Sequence, residues 1–305
     1  MTIMTLAMIE PPDESTLAWV EEQVGPCRVE SRFAHDHGYS QLWRLSTANG
    51  HVWLKMHAHP HKWAGEVHAL TAWGKPLGQT PKVIAWRREP NAVLLSEVPG
   101  SAAESLDLSH TAEERMWREA GAWLSKMHAF ENDWLGNVRE NGMPHGEPFE
   151  DAEAFVTANW EQTLRNGIAS GLFGQREIDF TEGRVRQGLP SLNGERPRAI
   201  HRDYTPRNWM ALPDGSLTAV IDFEHSRWDI RAADLNRPWD HEFRRNPRLV
   251  DAFYEGYGGL PDRLREQIET LRTMLAFSTV VWATGVGDGA FAQRGRDALA
   301  RMMAG

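Results

Sequence analysis

Short alternations of apolar and polar residues, separated by turn-forming residues, fill the first hundred positions of the chain. Such alternation predicts β-strands, whereas apolar residues spaced three or four apart predict helices. The pattern predicts a helix, three strands, a second helix and two further strands, at 13–24, 29–36, 41–48, 51–57, 63–73, 82–87 and 92–98. We expect the second helix to end at Gly74, and we expect Asn49-Gly50 to form a hairpin turn.

The rest of the chain carries mostly helical periodicity. Thr111 and Glu114 fit a capping box, in which the hydroxyl accepts a first-turn N–H and the carboxylate reaches back, so a helix is expected to begin there. Further helices are predicted at 150–164, 175–187, 248–257, 262–283 and 289–303. Between them, a β-hairpin is predicted around a turn at 213–215. A strand-rich first part thus precedes a mainly helical remainder.

Composition narrows the class of protein. The 305 residues are 41% hydrophobic and 25% charged, values typical of a soluble globular protein. A net charge of −9 argues against nonspecific nucleic-acid binding, and a single cysteine, Cys27, excludes an internal disulfide and a multi-cysteine zinc site. The first basic residue is Arg28, and no apolar stretch approaches the length of about 20 residues that spans a membrane. We therefore expect a cytoplasmic protein without a nucleic-acid or membrane partner.

Candidate catalytic residues concentrate in the segment 201–208, which reads His-Arg-Asp-Tyr-Thr-Pro-Arg-Asn, and in Asp222 beyond the predicted hairpin. Tight pairing puts Asn208 opposite Ile221, whereas a register looser by one puts it opposite Asp222, and the sequence leaves both registers open. With both side chains on one face, their oxygen atoms can converge on Mg²⁺. Asp203, five residues before Asn208, can face the same point, as phosphoryl transfer to a hydroxyl requires.

The order of these motifs resembles the aminoglycoside phosphotransferase/choline kinase family, over most of the chain. The resemblance implies an α+β, bilobal, protein-kinase-like fold. A small antiparallel sheet with one key helix, residues 1–98, would bind the nucleotide. A larger, mainly helical part, residues 99–305, would carry the catalytic loop, with the acceptor pocket built by an insert at about 135–187. ATP, or alternatively GTP, would be the phosphoryl donor and Mg²⁺ the metal.

The resemblance also implies roles for individual residues. Asp203 would be catalytic, and Asn208 and Asp222 would hold Mg²⁺. Lys55, which alternates away from the apolar face of its strand, would bind the α- and β-phosphates. Glu66, on the following helix, would orient that lysine.

The remaining roles implied by the resemblance are supporting ones. In the turn between the first two strands, Gly38 and Ser40 would cap a phosphate with their backbone N–H groups. The backbone C=O of Ser96 and N–H of Val98 would contact adenine. Two further residues, His201 and Asp234, would support the catalytic loop, and Glu224 would contact the metal through water.

The acceptor is expected to be a small molecule bearing a hydroxyl. Only eleven residues separate Asp222 from Asp234, which leaves no room for the peptide-docking segment of a protein kinase. An antibiotic of the aminoglycoside kind is the favoured acceptor; a kinase of an amino alcohol, sugar or choline-like metabolite is the alternative, and a nucleotide-binding pseudokinase is the alternative of another class. Either a monomer or a homodimer is expected.

Two other features carry alternative interpretations. The histidines at 57, 59 and 61 suggest a metal site, although a loop position without that function is the favoured interpretation. A set of acidic residues is a candidate to attract a polycation, although a solvated helix face is the favoured interpretation of each residue taken singly: Glu147, Glu150, Asp151, Glu153, Glu161, Asp240 and Glu242.

Overall fold

The computed structural model describes residues 10–34 and 40–304. The helices are α1 (Glu14–Val24), α2 (Pro60–His68), α3 (Gly74–Leu77), α4 (His110–Met127), α5 (Ala152–Ser170), α6 (Gln175–Gly188), α7 (Ala232–Leu235), α8 (Glu242–Arg245), α9 (Arg248–Tyr257), α10 (Asp262–Gly285) and α11 (Gly289–Ala304). The strands are β1 (Cys27–Ala34), β2 (Ser40–Thr47), β3 (Gly50–His57), β4 (Val83–Arg87), β5 (Ala92–Ser96), β6 (Ser101–Ala102), β7 (Arg198–Ile200), β8 (Trp209–Ala211), β9 (Leu217–Val220) and β10 (Arg227–Asp229). Across the described ranges, no helix combines the length and the apolar composition needed to cross a membrane.

The N-terminal region forms the predicted antiparallel sheet, with strand order β1-β2-β3-β5-β4 and α2 inserted after the third strand. One sheet face packs against Val20 of α1 and holds apolar side chains such as Leu54 and Leu94. The other face, through Val93 and Leu95, joins the core of the helical region. The α+β fold class is therefore confirmed, while a domain boundary between residues 98 and 99 stays a prediction.

An aromatic core supports the segment that carries the catalytic motif. Trp123 and Trp209 are fully buried, and Tyr204 donates its hydroxyl to the backbone oxygen of Ala120 at 2.7 Å. Phe223, next to Asp222, is also completely buried. Since large aromatic side chains dominate core energetics, both flanks of the motif are anchored in a buried aromatic cluster.

Several predicted helix boundaries are wrong, and two of these errors have a clear physical cause. The cap of α4 is Ser109 rather than Thr111, because the Ser109 hydroxyl accepts the N–H of Ala112 at 3.3 Å. The second helix does not end at Gly74, which keeps helical dihedrals of φ −58° and ψ −44°. A turn of π-helix, Ala69–Trp73, joins α2 to α3, and the run ends at Gly78 with φ +63°, a conformation that glycine adopts without steric cost.

The predicted hairpin turn lies one residue earlier than expected. Thr47 pairs with Gly50, so Ala48 and Asn49 form the turn and Gly50 opens β3 with φ +111°. Gly50 therefore lies just after the turn, at a position where the backbone needs a positive φ. The register of β3 is nevertheless the one that buries Leu54 and places Lys55 on the opposite face.

Gly121 marks the closest approach of α4 and α9, since a Cβ atom there would lie 2.1 Å from the backbone oxygen of Phe253. We expect Gly121→Ala to destabilise the protein by about 1–3 kcal/mol, because the two helices must move apart. Gly183→Ala is the matched control: no atom lies within 4 Å of that position, so higher helix propensity should stabilise the protein by about 0.5–1 kcal/mol. Urea unfolding measures both; equal effects would contradict the packing described.

Candidate active site

A buried lysine lies among three carboxylates from distant segments. The Lys55 ammonium, 3% exposed on β3, lies 2.8 Å from Glu66 Oε2 and 2.6 Å from Asp222 Oδ1. It also lies 3.1 Å from Glu224 Oε2. Burial by itself would lower the pKa of Lys55, but Asp222, Glu66 and Glu224 outweigh it and raise the pKa well above its ordinary value. Lys55 is therefore a permanent cation.

A close helix approach places Glu66 beside this lysine. A Cβ atom on Gly65 would lie 2.9 Å from the backbone oxygen of Ser226, so only glycine lets α2 pack this closely against the chain after Asp222. His57 Nε2 also lies 2.9 Å from Glu66 Oε2. Burial raises the pKa of Glu66, but Lys55 and then His57 more than reverse that effect, so the carboxylate stays ionised.

Glu224 has a different environment from the one predicted. Its Oε1 accepts a hydrogen bond from Lys62 Nζ at 2.9 Å, and its Oε2 faces Lys55. The carboxylate is thus shared between two lysines, and the water-mediated metal contact expected of it stays a prediction without structural support.

Asp203 lies between two guanidinium groups. Arg237 approaches Oδ1 at 2.5 Å, Arg207 approaches Oδ2 at 2.5 Å, and the Asn208 amide also donates to Oδ2 at 2.9 Å. Burial by itself would raise the pKa of Asp203, but Arg237 and Arg207 outweigh it and lower the pKa to about 2. The carboxylate is therefore charged throughout the physiological pH range.

The hairpin adopts the tighter of the two registers. Ile221 N–H donates to the backbone oxygen of Asn208 at 2.9 Å, so these residues face each other. A bulge near the turn, where Ala211 pairs with Leu217, absorbs the extra residue. Asp222 then leaves the strand with φ +67°, a left-handed conformation that simple strand pairing does not foresee.

Hydrogen bonds hold the backbone of the catalytic loop. Asp234 Oδ2 accepts the N–H of His201 at 2.8 Å, and its Oδ1 accepts the N–H of Arg202. His201 Nε2 donates to the backbone oxygen of Ile221 at 2.9 Å, while its Nδ1 accepts the N–H of Asp203 at 3.3 Å. Both His201 bonds fit one neutral tautomer, and together they tie the loop to the end of β9.

Asn208 and Asp222 each have a side-chain oxygen atom of the kind that binds Mg²⁺. Asn208 uses its NH₂ group on Asp203, which among the described residues leaves its Oδ1 without a hydrogen bond. Asp222 meets Lys55 with Oδ1 alone, and its side chain is 26% exposed. Hard oxygen donors suit Mg²⁺, which commonly takes substrate phosphates as further ligands.

The histidines at 57, 59 and 61 do not form a metal centre. Within 10–34 and 40–304, no group of three or more histidine, cysteine, aspartate or glutamate side chains is arranged to hold a metal ion. His57 instead lies against Glu66, completely buried. The metal interpretation of these histidines therefore finds no support.

Of the four residues predicted to contact the nucleotide through backbone groups, three are described by the structure. Gly38 lies outside the described residues. Ser40 opens β2 opposite His57 and is buried. Ser96 ends β5, and the Val98 N–H, just beyond it, has no hydrogen-bond partner among the described residues. The roles of all four in nucleotide binding stay predictions.

A cavity of about 1330 Å³ opens beside Asp203 and Asp222. Its walls come from residues 59–62, 103–117, 202–225, 237–245 and 272–298. The expected acceptor-pocket insert, 135–187, contributes no residue to them, because α5 faces a separate cavity of about 290 Å³. The location of the acceptor pocket in 135–187 therefore stays a prediction, while the main cavity is lined chiefly by α4, α10 and α11, with two residues from α8.

The acidic residues considered as a site for a polycation contribute little to the main cavity. The five between 147 and 161 line neither of the two cavities. Asp240 and Glu242 do line the main cavity, but Asp240 accepts hydrogen bonds from Arg272 and Arg301. Asp240 is thus neutralised, whereas Glu242 forms no ion pair among the described residues.

Sequence reasoning missed the arginines that flank Asp203. Arg207 follows Asp203 by four residues on the same loop, so its spacing was a usable signal. Arg237 lies 34 residues away, after α7, and only the tertiary fold brings it to Asp203. His57 was considered only as a metal ligand, although its alternation with Lys55 already places both on one face of β3.

Comparisons with known proteins agree with this geometry. The sequence model of the phosphotransferase enzyme family matches residues 33–267. The fold is similar to aminoglycoside phosphotransferase APH(4)-Ia, with a TM-score of 0.68 and 12% identity, covering 95% of this chain and 99% of that one. It is similar to APH(2")-IIia in complex with GDP and kanamycin, with a TM-score of 0.64 and 15% identity, covering 95% and 98%. It is also similar to macrolide 2'-phosphotransferase MphH from Brachybacterium faecium, with a TM-score of 0.57 and 17% identity, covering 93% and 96%. No curated protein sequence matches the chain.

The environment of Asp203 predicts a pH dependence of stability. Its folded-state pKa of about 2 lies below the ordinary 3.8, so the ionised group stabilises the fold above about pH 4, and this contribution is lost as the pH falls through 2. The difference in unfolding free energy between wild type and Asp203→Asn should shrink by about 2 kcal/mol from about pH 5 to pH 2. Denaturant unfolding at several pH values measures it; a constant difference would contradict the double pairing.

Proposed function

The chain belongs to the phosphotransferase enzyme family and is a small-molecule kinase whose acceptor is a hydroxyl group. From this premise we propose that it transfers the γ-phosphoryl group of ATP to a hydroxyl bound in the main cavity. The observation that carries the proposal is the position of Asp203: an ionised carboxylate that faces this cavity together with Asp222.

In the proposed reaction, Asp203 is the catalytic residue. Its carboxylate orients the acceptor hydroxyl and takes up the hydroxyl proton as the bond to phosphorus forms. A low pKa makes it a weak base, so its main contribution is positioning, as expected for phosphoryl transfer through a loose transition state. Asp234 and His201 would keep the loop rigid enough for that task.

Asn208 and Asp222 would hold Mg²⁺ through the two oxygen atoms described above. When bound, the metal neutralises charge on the phosphate oxygens. Lys55, which now contacts Asp222 directly, would bind the α- and β-phosphates while Glu66 keeps its ammonium in place.

The nucleotide itself would lie against the N-terminal sheet. We propose that Gly38 and Ser40 contact a phosphate, and that Ser96 and Val98 contact the base. The GDP complex of one structural neighbour supports GTP as a second donor. Use of ATP or GTP fits a cytoplasmic location, which we propose as well.

For the acceptor, we propose an antibiotic, because the neighbours include a kanamycin complex and a macrolide 2'-phosphotransferase. A second candidate, a small hydroxylated metabolite, is favoured by the arginines around Asp203, which oppose the binding of a polycation. The intact set of Lys55, Asp203, Asn208 and Asp222 speaks against a pseudokinase.

Replacement of Asp203 by alanine should lower kcat by about 10²–10⁴-fold, because the hydroxyl loses the group that orients it and accepts its proton. Binding of Mg·ATP, measured by calorimetry, should persist. Asp133→Asn, at an exposed aspartate outside both cavities, is the control and should leave kcat unchanged. A near-normal kcat in the Asp203→Ala variant would show that another group does the work.

Expression in a sensitive bacterium should test the proposed acceptor. We expect wild type, but not Asp203→Asn, to protect the cells against at least one member of a panel of hydroxyl-bearing antibiotics, because only the wild type phosphorylates the drug. Growth inhibition measures the protection. No protection by wild type, together with ATP consumption on a small metabolite, would favour the second candidate.

A further inference from the structure

Two arginines lie where the two cavities meet. Among the residues that line both cavities, Arg202 and Arg237 are the charged ones; the others are Leu275 and Ser278. Arg237 contacts Asp203, and Arg202 precedes Asp203 in the chain. A molecule that brings a hydroxyl to Asp203 where the two cavities meet can therefore reach both arginines.

Arg202 occupies this place at a conformational cost. Its φ is +66°, a left-handed conformation that glycine adopts freely and that branched or long side chains rarely adopt. Its backbone N–H donates to Asp234, which holds the residue in that conformation. Strained residues that persist in a well-packed loop are commonly functional, so the side chain of Arg202 needs an explanation.

The guanidinium of Arg202 has no ion-pair or hydrogen-bond partner within the described part of the chain, and the residue is exposed. The acidic groups around it are already engaged. Asp229 accepts two hydrogen bonds from Arg227, and Asp234 accepts the backbone N–H groups of the catalytic loop. Arg227 lowers the pKa of Arg202, but only to about 10, so Arg202 keeps its charge at neutral pH.

The single negative charge of Asp203 does not balance the positive charges of the arginines around it. It is shared between Arg207 and Arg237, and Arg202 adds a third positive charge next to it. Arg202, Arg207 and Arg237 thus line the main cavity beside Asp203, and planar guanidinium groups match the geometry of carboxylate, sulfate and phosphate.

We propose that Arg202 and Arg237 form a binding site for an anionic group of the acceptor. The acceptor is then a hydroxylated molecule that also carries a carboxylate, sulfate or phosphate. This inference rests on the proposed function and names its substrate class. When the anion binds Arg237, that guanidinium leaves Asp203 Oδ1, which becomes free to receive the acceptor hydroxyl.

Calorimetric titration with sulfate and with acetate tests the site. The nucleotide site is first filled with Mg·AMP-PNP, and ionic strength is held constant with sodium chloride. We expect saturable binding of at least one of the two anions to wild type. Tighter sulfate binding indicates a phosphate or sulfate on the acceptor, whereas tighter acetate binding indicates a carboxylate.

Three variants separate the site from general charge effects. Arg202→Gly should weaken anion binding by about tenfold or more, the loss of a charge-assisted hydrogen bond, while its Tm stays the same or rises because glycine relieves the strained φ. Arg237→Gln should weaken it similarly. Arg118→Gln, which removes an exposed arginine paired with Glu255 on the α4 surface, should bind as wild type does.

The outcomes distinguish a failure of this inference from a failure of the proposed function. Anion binding that is absent in wild type, or equal in wild type, Arg202→Gly and Arg237→Gln, overturns this inference. If Arg202→Gly does not fold, the comparison of Arg237→Gln with Arg118→Gln decides in the same way. A protein that does not bind Mg·AMP-PNP contradicts the proposed function instead, and the anion titration without nucleotide still reports on the arginine site.

Discussion

The architecture depends on a buried positive charge that the chain neutralises from three directions. Lys55 lies on β3, while Glu66 comes from α2 and both Asp222 and Glu224 follow β9. A buried ammonium costs several kcal/mol unless carboxylates surround it, so β3, α2 and the end of the hairpin are held together. The close approach at Gly65 serves this arrangement. The same carboxylates keep a cation available where a polyphosphate would bind, so one interaction links the stability of the sheet to its function.

Asp203 is the electrostatic counterpart of Lys55. The lysine is a cation among acids, whereas Asp203 is an acid between the two bases Arg207 and Arg237. The hairpin joins the two centres, because Ile221 bonds both to Asn208 and to His201. A phosphoryl group passing from one to the other would move from a site that attracts its negative charge toward a carboxylate that positions the incoming oxygen. Fixed groups of opposite sign lower the reorganisation that such a transfer needs.

Local signals in the sequence predicted much of this structure, and non-local contacts account for what it missed. The order of strands and helices followed from periodicity, and the tighter hairpin register was one of two that simple counting allowed. The α4 cap moved to Ser109 because two hydroxyl residues stand close together and only the fold chooses between them. Arg237 could not be found, because nothing in 34 residues of intervening chain indicates that it returns to Asp203. The walls of the main cavity were not predicted for the same reason: which helices enclose a space depends on tertiary packing.

An anionic group on the acceptor, as proposed, would distinguish this chain from the neighbours with the same fold. Identities of 12–17% with proteins named for antibiotics reflect a shared fold, and a fold carries many substrate specificities. Specificity lies in the cavity wall, where Asp240 is neutralised by Arg272 while Arg202 remains unpaired among the described residues. An anion would gain charge-assisted hydrogen bonds and would also free the catalytic carboxylate from Arg237. Arg237 would therefore both select the acceptor and hold Asp203. Binding of the correct substrate would at the same time expose the oxygen atom of Asp203 that receives the hydroxyl.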